Sequence, residues 1–141
     1  MKHQPPFHLA YPVSDLSGVR SFFIDTLGAS VGREAERWVD LNFFGHQLSF
    51  HLSESSDLNP PTNEVDGDAV PTLHFGCVLL WEDWLSHYER LVAAKCDFLI
   101  DKKIRFEGEV GEQGTYFVKG PCGIAIEFKA FKEESQLFAS S

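Results

Sequence analysis

FHLAYPV (Phe7–Val13) carries His8 at its second position, and LHFGCVLL (Leu73–Leu80) carries His74 at its second position. Each run leads into a helix-like stretch: DLSGVRSFFIDTLG (Asp15–Gly28) after the first, EDWLSHYERLVAAK (Glu82–Lys95) after the second. The separation from His8 to Leu27 equals that from His74 to Ala93, so the helices fall in register as well. More strand-like runs follow in both halves, ending in GHQLSFHL (Gly45–Leu52) and GIAIEFKAF (Gly123–Phe131). A duplicated unit of strand, helix and three strands accounts for all of these correspondences, which makes the fold class α+β. One domain over residues 1–141 is expected, with modules at about 7–53 and 72–131. The intervening SESSDLNPPTNEVDGDAVP (Ser53–Pro71) is rich in Pro, Asp, Asn and Ser and reads as an exposed linker.

Within each half the periodicities are clear. Asp15 or Ser14 is placed to cap the first helix, and Val19, Phe22, Phe23 and Leu27 form its apolar stripe. Gly28 is placed to end it. Trp84, Leu85, Tyr88, Leu91 and Val92 form the stripe of the second helix. Along HQLSFHL, Leu48, Phe50 and Leu52 share one face, opposite Gln47, Ser49 and His51. In the closing strand Ile124, Ile126 and Phe128 share a face, opposite Ala125, Glu127 and Lys129. The apolar faces pack under the helices, and the polar faces line something open to solvent.

Composition narrows the function. The 141 residues are 43% hydrophobic, too apolar for a disordered chain, and 12 basic against 21 acidic side chains give a net charge of −9. Nucleic-acid binders concentrate Lys and Arg, so no nucleic-acid partner is expected; the acidic balance speaks to solubility and not to substrate. No apolar run reaches the ~18 residues of a membrane span, and the first residues lack a signal-peptide core. The three cysteines, Cys77, Cys96 and Cys122, show no CxxC spacing, so neither a disulfide framework nor a thiolate zinc site is expected. The expected location is the cytoplasm.

The inner polar face holds the chemistry. His8 and His74 occupy equivalent positions, flanked by small or apolar residues, and Glu127 shares the inward side of the last strand. A carboxylate taken out of water needs a cation or a strong donor. Two imidazoles and one carboxylate at one point form either a structural hydrogen-bond cluster or a facial metal site with open positions.

The span from about Phe7 to Lys132 resembles the vicinal oxygen chelate superfamily, which includes glyoxalase I, extradiol dioxygenases, fosfomycin-resistance enzymes and bleomycin-binding proteins. The matching features are His8 in HLAYPV, Phe22-Phe23 through Leu27-Gly28, His74 in LHFGCVL, and Gly120-Pro121-Cys122-Gly123 followed by Glu127-Phe128. The resemblance implies paired βαβββ modules whose curled mixed sheets form a metal-binding cup. It assigns His8, His74 and Glu127 as ligands. Glyoxalase-like members have a Glu on the last strand of the first module, but aligning Phe50 with Phe128 puts Ser49 there. His51, on the same face, is the candidate fourth ligand or acid/base group. The dioxygenase signature has a Tyr four residues before the closing Pro; here Phe117 holds that place, with Tyr116 expected to face the other way.

By this resemblance the chain is expected to be a metal-dependent, dioxygenase-like oxidoreductase acting on a small vicinal-oxygen molecule. Fe(II) is the favoured ion, with Ni(II), Zn(II) or Mn(II) as alternatives. Lys129, Phe117, Arg105 and Gln47 are the candidate substrate contacts, and KKIRFEGEVGEQGT (Lys102–Thr115) is either a rim over the cup or a plain surface loop. A glyoxalase-type lyase or isomerase and a metal-free binder of the resistance type are the competing expectations. A homodimer is expected by analogy. The tail KEESQLFASS (Lys132–Ser141) is expected either to fray or to dock Leu137 and Phe138 on a partner.

Overall fold

Alternating strands and two amphipathic helices assemble as the duplicated pattern predicts. The computed structural model describes residues 4–54 and 59–140. It separates into two compact units, Met1–Leu58 with Pro121–Gly123, and Asn59–Gly120 with Ile124–Ser141. Each contains an open four-stranded mixed sheet built on the same plan.

In the first unit β1 (His8–Val13), α1 (Leu16–Ser21), β2 (Ser30–Ala35), β3 (Trp38–Phe43) and β4 (His46–Leu52) give the sheet order β1-β4-β3-β2. β1 runs parallel to β4, and the remaining pairs are antiparallel. Asp15 caps α1 by accepting from the Gly18 amide at 2.9 Å. The helix then widens into a π-helical turn over Phe22–Thr26, closed by the Leu27 amide donating to the Phe22 carbonyl. Gly28 leaves it with φ +77°, a left-handed conformation that glycine adopts without strain. Val19, Phe23 and Leu27 are buried as expected, and Phe23 meets Phe43 edge-on at 5.6 Å and Phe50 at 5.0 Å. Each such aromatic contact adds ~0.5–1.5 kcal/mol to plain burial.

In the second unit β7 (Phe75–Val78), α2 (Trp81–Ala93), β8 (Phe98–Arg105), β9 (Gln113–Lys119) and β10 (Ala125–Phe131) repeat the plan in the order β7-β10-β9-β8. β10 pairs parallel with β7 and antiparallel with β9. The helix buries Trp84, His87 and Leu91. That stripe differs from the expected one, because Val92 lies 45% exposed and His87 takes the middle of the buried face. A histidine is tolerated there because its ring is satisfied: Nδ1 lies 2.8 Å from the Tyr116 hydroxyl, which donates onward to the Trp84 carbonyl. The Trp84 indole donates to the Phe128 carbonyl at 3.0 Å and lies so close over Gly114 that no side chain fits there.

Two stretches read as loops have structure. Part of the linker forms an antiparallel hairpin, β5 (Thr62–Val65) and β6 (Asp68–Pro71), turning at Asp66-Gly67; residues 55–58 lie outside the described residues. Half of Lys102–Thr115 is strand, since β8 reaches Arg105 and β9 starts at Gln113; residues 106–112 form the loop between them. In the tail Leu137 is half-buried and Phe138 is 92% exposed. All three cysteines are free, and burial pushes the Cys77 thiol up to about 12, so it stays protonated at neutral pH. No helix among the described residues is long and apolar enough to cross a membrane.

Candidate functional site

The second unit brings His74 and Glu127 together. His74 stands immediately before β7, and Glu127 lies mid-strand on β10 opposite Gly76 of β7 and Phe117 of β9. His74 Nε2 lies 3.3 Å from Glu127 Oε1, with side-chain exposures of 27% and 12%. Each group has a second partner on its far side. His74 Nδ1 lies 2.7 Å from the Pro71 carbonyl oxygen at the end of β6, and Glu127 Oε2 accepts from the Thr115 hydroxyl at 2.6 Å.

These distances decide the protonation chemistry. A carbonyl oxygen only accepts, so His74 Nδ1 carries the hydrogen and Nε2 of the neutral ring is a lone pair. A lone pair facing a carboxylate oxygen is repulsive unless a cation stands with them. That cation is either a proton, making His74 an imidazolium, or a metal ion. With a proton, the Glu127 hydrogen bond raises the His74 pKa above its ordinary value, burial opposes it and the Pro71 bond reinforces it. Burial alone would raise Glu127; the hydrogen bonds from His74 and Thr115 outweigh it and hold the carboxyl below its ordinary value. An imidazole fixed through Nδ1 and a carboxylate fixed through its far oxygen are the donor types that Fe, Ni and Zn ions take, so these residues fit the implied metal.

The surroundings are shaped by the same strands. A cleft of about 230 Å³ is lined by residues including His74, Gly76, Val78, Glu127 and Lys129. Lys129 follows Glu127 on the same face and adds positive charge to the cleft. Phe117 is fully buried, its ring 4.9 Å edge-on from the His74 imidazole, where it keeps water off one side. Tyr116 faces α2 instead, as alternation predicts.

Arg105 belongs to different machinery. It is 3% exposed and donates to the Val65 carbonyl at 2.7 Å. Its other arm makes an ion contact with Asp68 at 3.0 Å that is not aligned as a hydrogen bond. Lys103 reaches the same carboxylate at 2.8 Å and the Asp66 carbonyl at 2.9 Å. The Lys103 ammonium against it is the main reason the Asp68 carboxyl lies below its ordinary value. Arg105 therefore anchors the β5–β6 hairpin to β8, and its donors face the hairpin. Asp68→Asn is expected to loosen that anchor, seen as faster hydrogen exchange across Thr62–Pro71 with β9 and β10 unchanged. Equal protection in both proteins would show that the ion contacts do not hold the hairpin.

The remaining candidates lie on the first unit. His8 is exposed on β1, opposite Gln47 of β4, and His51 is exposed opposite Pro12. Ser49 pairs with Ala10 and Asp40 just as Glu127 pairs with Gly76 and Phe117, so serine does occupy the position of Glu127 in the repeat. A carboxylate stands one strand away: Asp40 accepts from the Ser49 hydroxyl at 2.6 Å, with Arg33 3.9 Å off. Phe44 occupies the β3–β4 turn with φ +52°, 46% exposed. Among the described residues, no group of three or more His, Cys, Asp or Glu is gathered closely enough to hold a metal ion.

Thr115, Asp68 and the Pro71 carbonyl were not among the sequence candidates. Thr115 had a usable signal. Pairing the strands across Gly120–Gly123 sets Phe117 opposite Glu127 and puts Thr115 on the same face, opposite Lys129.

Comparison with known proteins gives a consistent picture. A model of the Glyoxalase/Bleomycin resistance protein/Dioxygenase superfamily matches residues 6–128. A glyoxalase/bleomycin resistance protein/dioxygenase from Alicyclobacillus acidocaldarius is 28% identical with a TM-score of 0.82, covering 98% of this chain and 100% of that one. The fosfomycin resistance protein FosX from Listeria monocytogenes is 16% identical with a TM-score of 0.69, covering 96% of this chain and 100% of that one. A virulence protein from Salmonella typhimurium is 20% identical with a TM-score of 0.63, covering 93% and 99%. The last two likenesses show the fold alone. No curated protein matches.

Proposed function

Because this chain belongs to the Glyoxalase/Bleomycin resistance protein/Dioxygenase superfamily, we propose that it is a divalent-metal-dependent enzyme acting on a small molecule with vicinal oxygen atoms, an extradiol-dioxygenase-like oxidoreductase. The observation that carries the proposal is the His74–Glu127 pair, in which a carbonyl-locked imidazole turns its remaining lone pair toward a carboxylate oxygen. His74 and Glu127 would hold the metal, and His8 enters as third ligand on its repeat position alone. Fe(II) is the proposed ion. When bound, it supplies Lewis acidity and a template for adjacent oxygens.

The other residues have roles that follow from their chemistry. Lys129 offers its charge to an anionic oxygen of the substrate. Phe117 shields the His74 ring. His51 is the proposed acid/base group, since an imidazole nitrogen can both take up and give back a proton. Gln47 is a proposed substrate contact.

The test is metal content of anaerobically purified protein, with His74→Ala, Glu127→Ala and His8→Ala alongside. About one iron per chain, reduced at least ~10-fold in each variant, is expected from the loss of a first ligand. Oxygen uptake with catechols then follows. Nickel or zinc with no oxygen consumption would move the reading to a lyase or isomerase. No metal after each ion has been offered would overturn it and leave a metal-free binder.

A further inference from the structure

Thr115 is completely buried, yet its side chain carries a hydroxyl aimed at a carboxylate. We propose that Thr115 is a positioning residue that holds Glu127 as a one-oxygen ligand and so helps decide which class of ion the site takes. The proposal rests on the reading of Glu127 as a metal ligand.

Geometry carries it. The Thr115 hydroxyl has one proton, and it is committed to Glu127 Oε2 at 2.6 Å, a short charge-assisted bond. The other oxygen, Oε1, is the one that lies 3.3 Å from His74 Nε2. The carboxylate therefore has one oxygen occupied from the strand beside it and one directed at the imidazole. Threonine suits this task better than serine. A β-branched side chain on a strand has few χ1 choices, and here its whole side chain is enclosed, so the hydroxyl direction is set by packing. On the opposite side the Pro71 carbonyl restrains His74 in the same manner. Each of the paired groups is thus oriented by a neighbour on the side away from the other.

The consequence concerns the ion. Calcium sites use many oxygens and often both atoms of a carboxylate. A carboxylate limited to one oxygen beside an imidazole favours the smaller ions that take few, directed donors, such as Fe(II), Co(II), Ni(II) and Zn(II). Freed of Thr115, Glu127 can rotate and present either oxygen or both.

Cobalt(II) is the probe, because its affinity and its visible absorption are both read without turnover. Chelator competition and spectra are compared for the wild type, Thr115→Val, Thr115→Ser and Glu127→Gln, with urea unfolding to show that each is folded. Expected are a ~10–100-fold weaker cobalt affinity and an altered absorption band for the nearly isosteric Thr115→Val, with Thr115→Ser within about threefold of wild type. Weak binding in Thr115→Ser as well, with the absorption band of Thr115→Val unchanged from wild type, would show that any substitution in this enclosed position disturbs the site, and would overturn the role. Wild-type affinity in Thr115→Val with weak binding in Glu127→Gln would overturn the Thr115 role and leave Glu127 a ligand. No cobalt binding by the wild type, or undiminished binding in Glu127→Gln, would remove the ligand reading and this proposal with it.

Discussion

Gly76→Ala is expected to cost about 3 kcal/mol or more of folding stability and to part His74 from Glu127. Gly76 pairs with Glu127 across the parallel β7–β10 contact, and a Cβ at this position would collide with the Glu127 backbone oxygen. Backbone in the middle of a sheet cannot give way as a flexible side chain does. The strands have to separate, and the residues that flank the contact separate with them. Among the described residues β7 pairs only with β10 within its sheet, so none of them on its other side in that sheet holds it in place. Urea unfolding of Gly76→Ala against wild type measures the loss, and cobalt affinity measures the consequence for the pair. A change below about 1 kcal/mol would show that β7 accommodates the methyl group by a shift of register.

The second large effect is acid sensitivity centred on His87. This ring is 4% exposed, and burial, with help from the Arg90 charge, lowers its pKa to about 4. In the unfolded chain it returns to about 6.5. Between those values the unfolded state binds a proton that the folded state refuses, so stability falls as pH falls. The full contribution is present above about pH 6.5 and is gone by about pH 4. At about 1.4 kcal/mol per pH unit, the loss across the window is roughly 3 kcal/mol. His74 acts in the opposite sense, because its raised pKa gives stability that is fully present below the unfolded value and is lost as pH rises through the folded one. Glu127, with a lowered pKa, keeps its contribution down to the ordinary carboxylate range and loses it below. The informative quantity is therefore the difference between wild type and His87→Leu, followed by chemical unfolding from pH 7.5 to 4. The variant is expected to lose the slope of about one proton, while the Tyr116 hydroxyl keeps its bond to the Trp84 carbonyl. Parallel curves would refute the assignment to His87.

Much of the architecture was legible because it rests on local periodicity. The matched spacing after His8 and His74 announces the repeat. The alternation through Leu48, Phe50 and Leu52, and again through Ile124, Ile126 and Phe128, announces which faces are buried. Glu127 was legible as an inward carboxylate for the same reason. What was hidden depends on contacts between residues far apart in the chain. The β5–β6 hairpin is short and polar, and it is held by Asp68 against Lys103 and Arg105, a pairing that no window of neighbouring residues contains. Arg105 looked like a loop cation because its partner was out of view. The polarity of His87 argues against a core position until the Tyr116 hydroxyl is found beside it. Thr115 required the register of β9 on β10 before its hydroxyl could be matched to a carboxylate.

The hairpin also fixes where the chain can sensibly be divided. The visible repeat invites a cut just before Leu73, where the second copy of the pattern starts. A fragment begun there would omit the Pro71 carbonyl that keeps His74 in one tautomer, together with the Asp68 partner of Lys103 and Arg105. The second unit starts at Asn59. Any fragment, fusion or permuted version meant to preserve the His74–Glu127 pair should begin there, so that the whole hairpin stays with the pair.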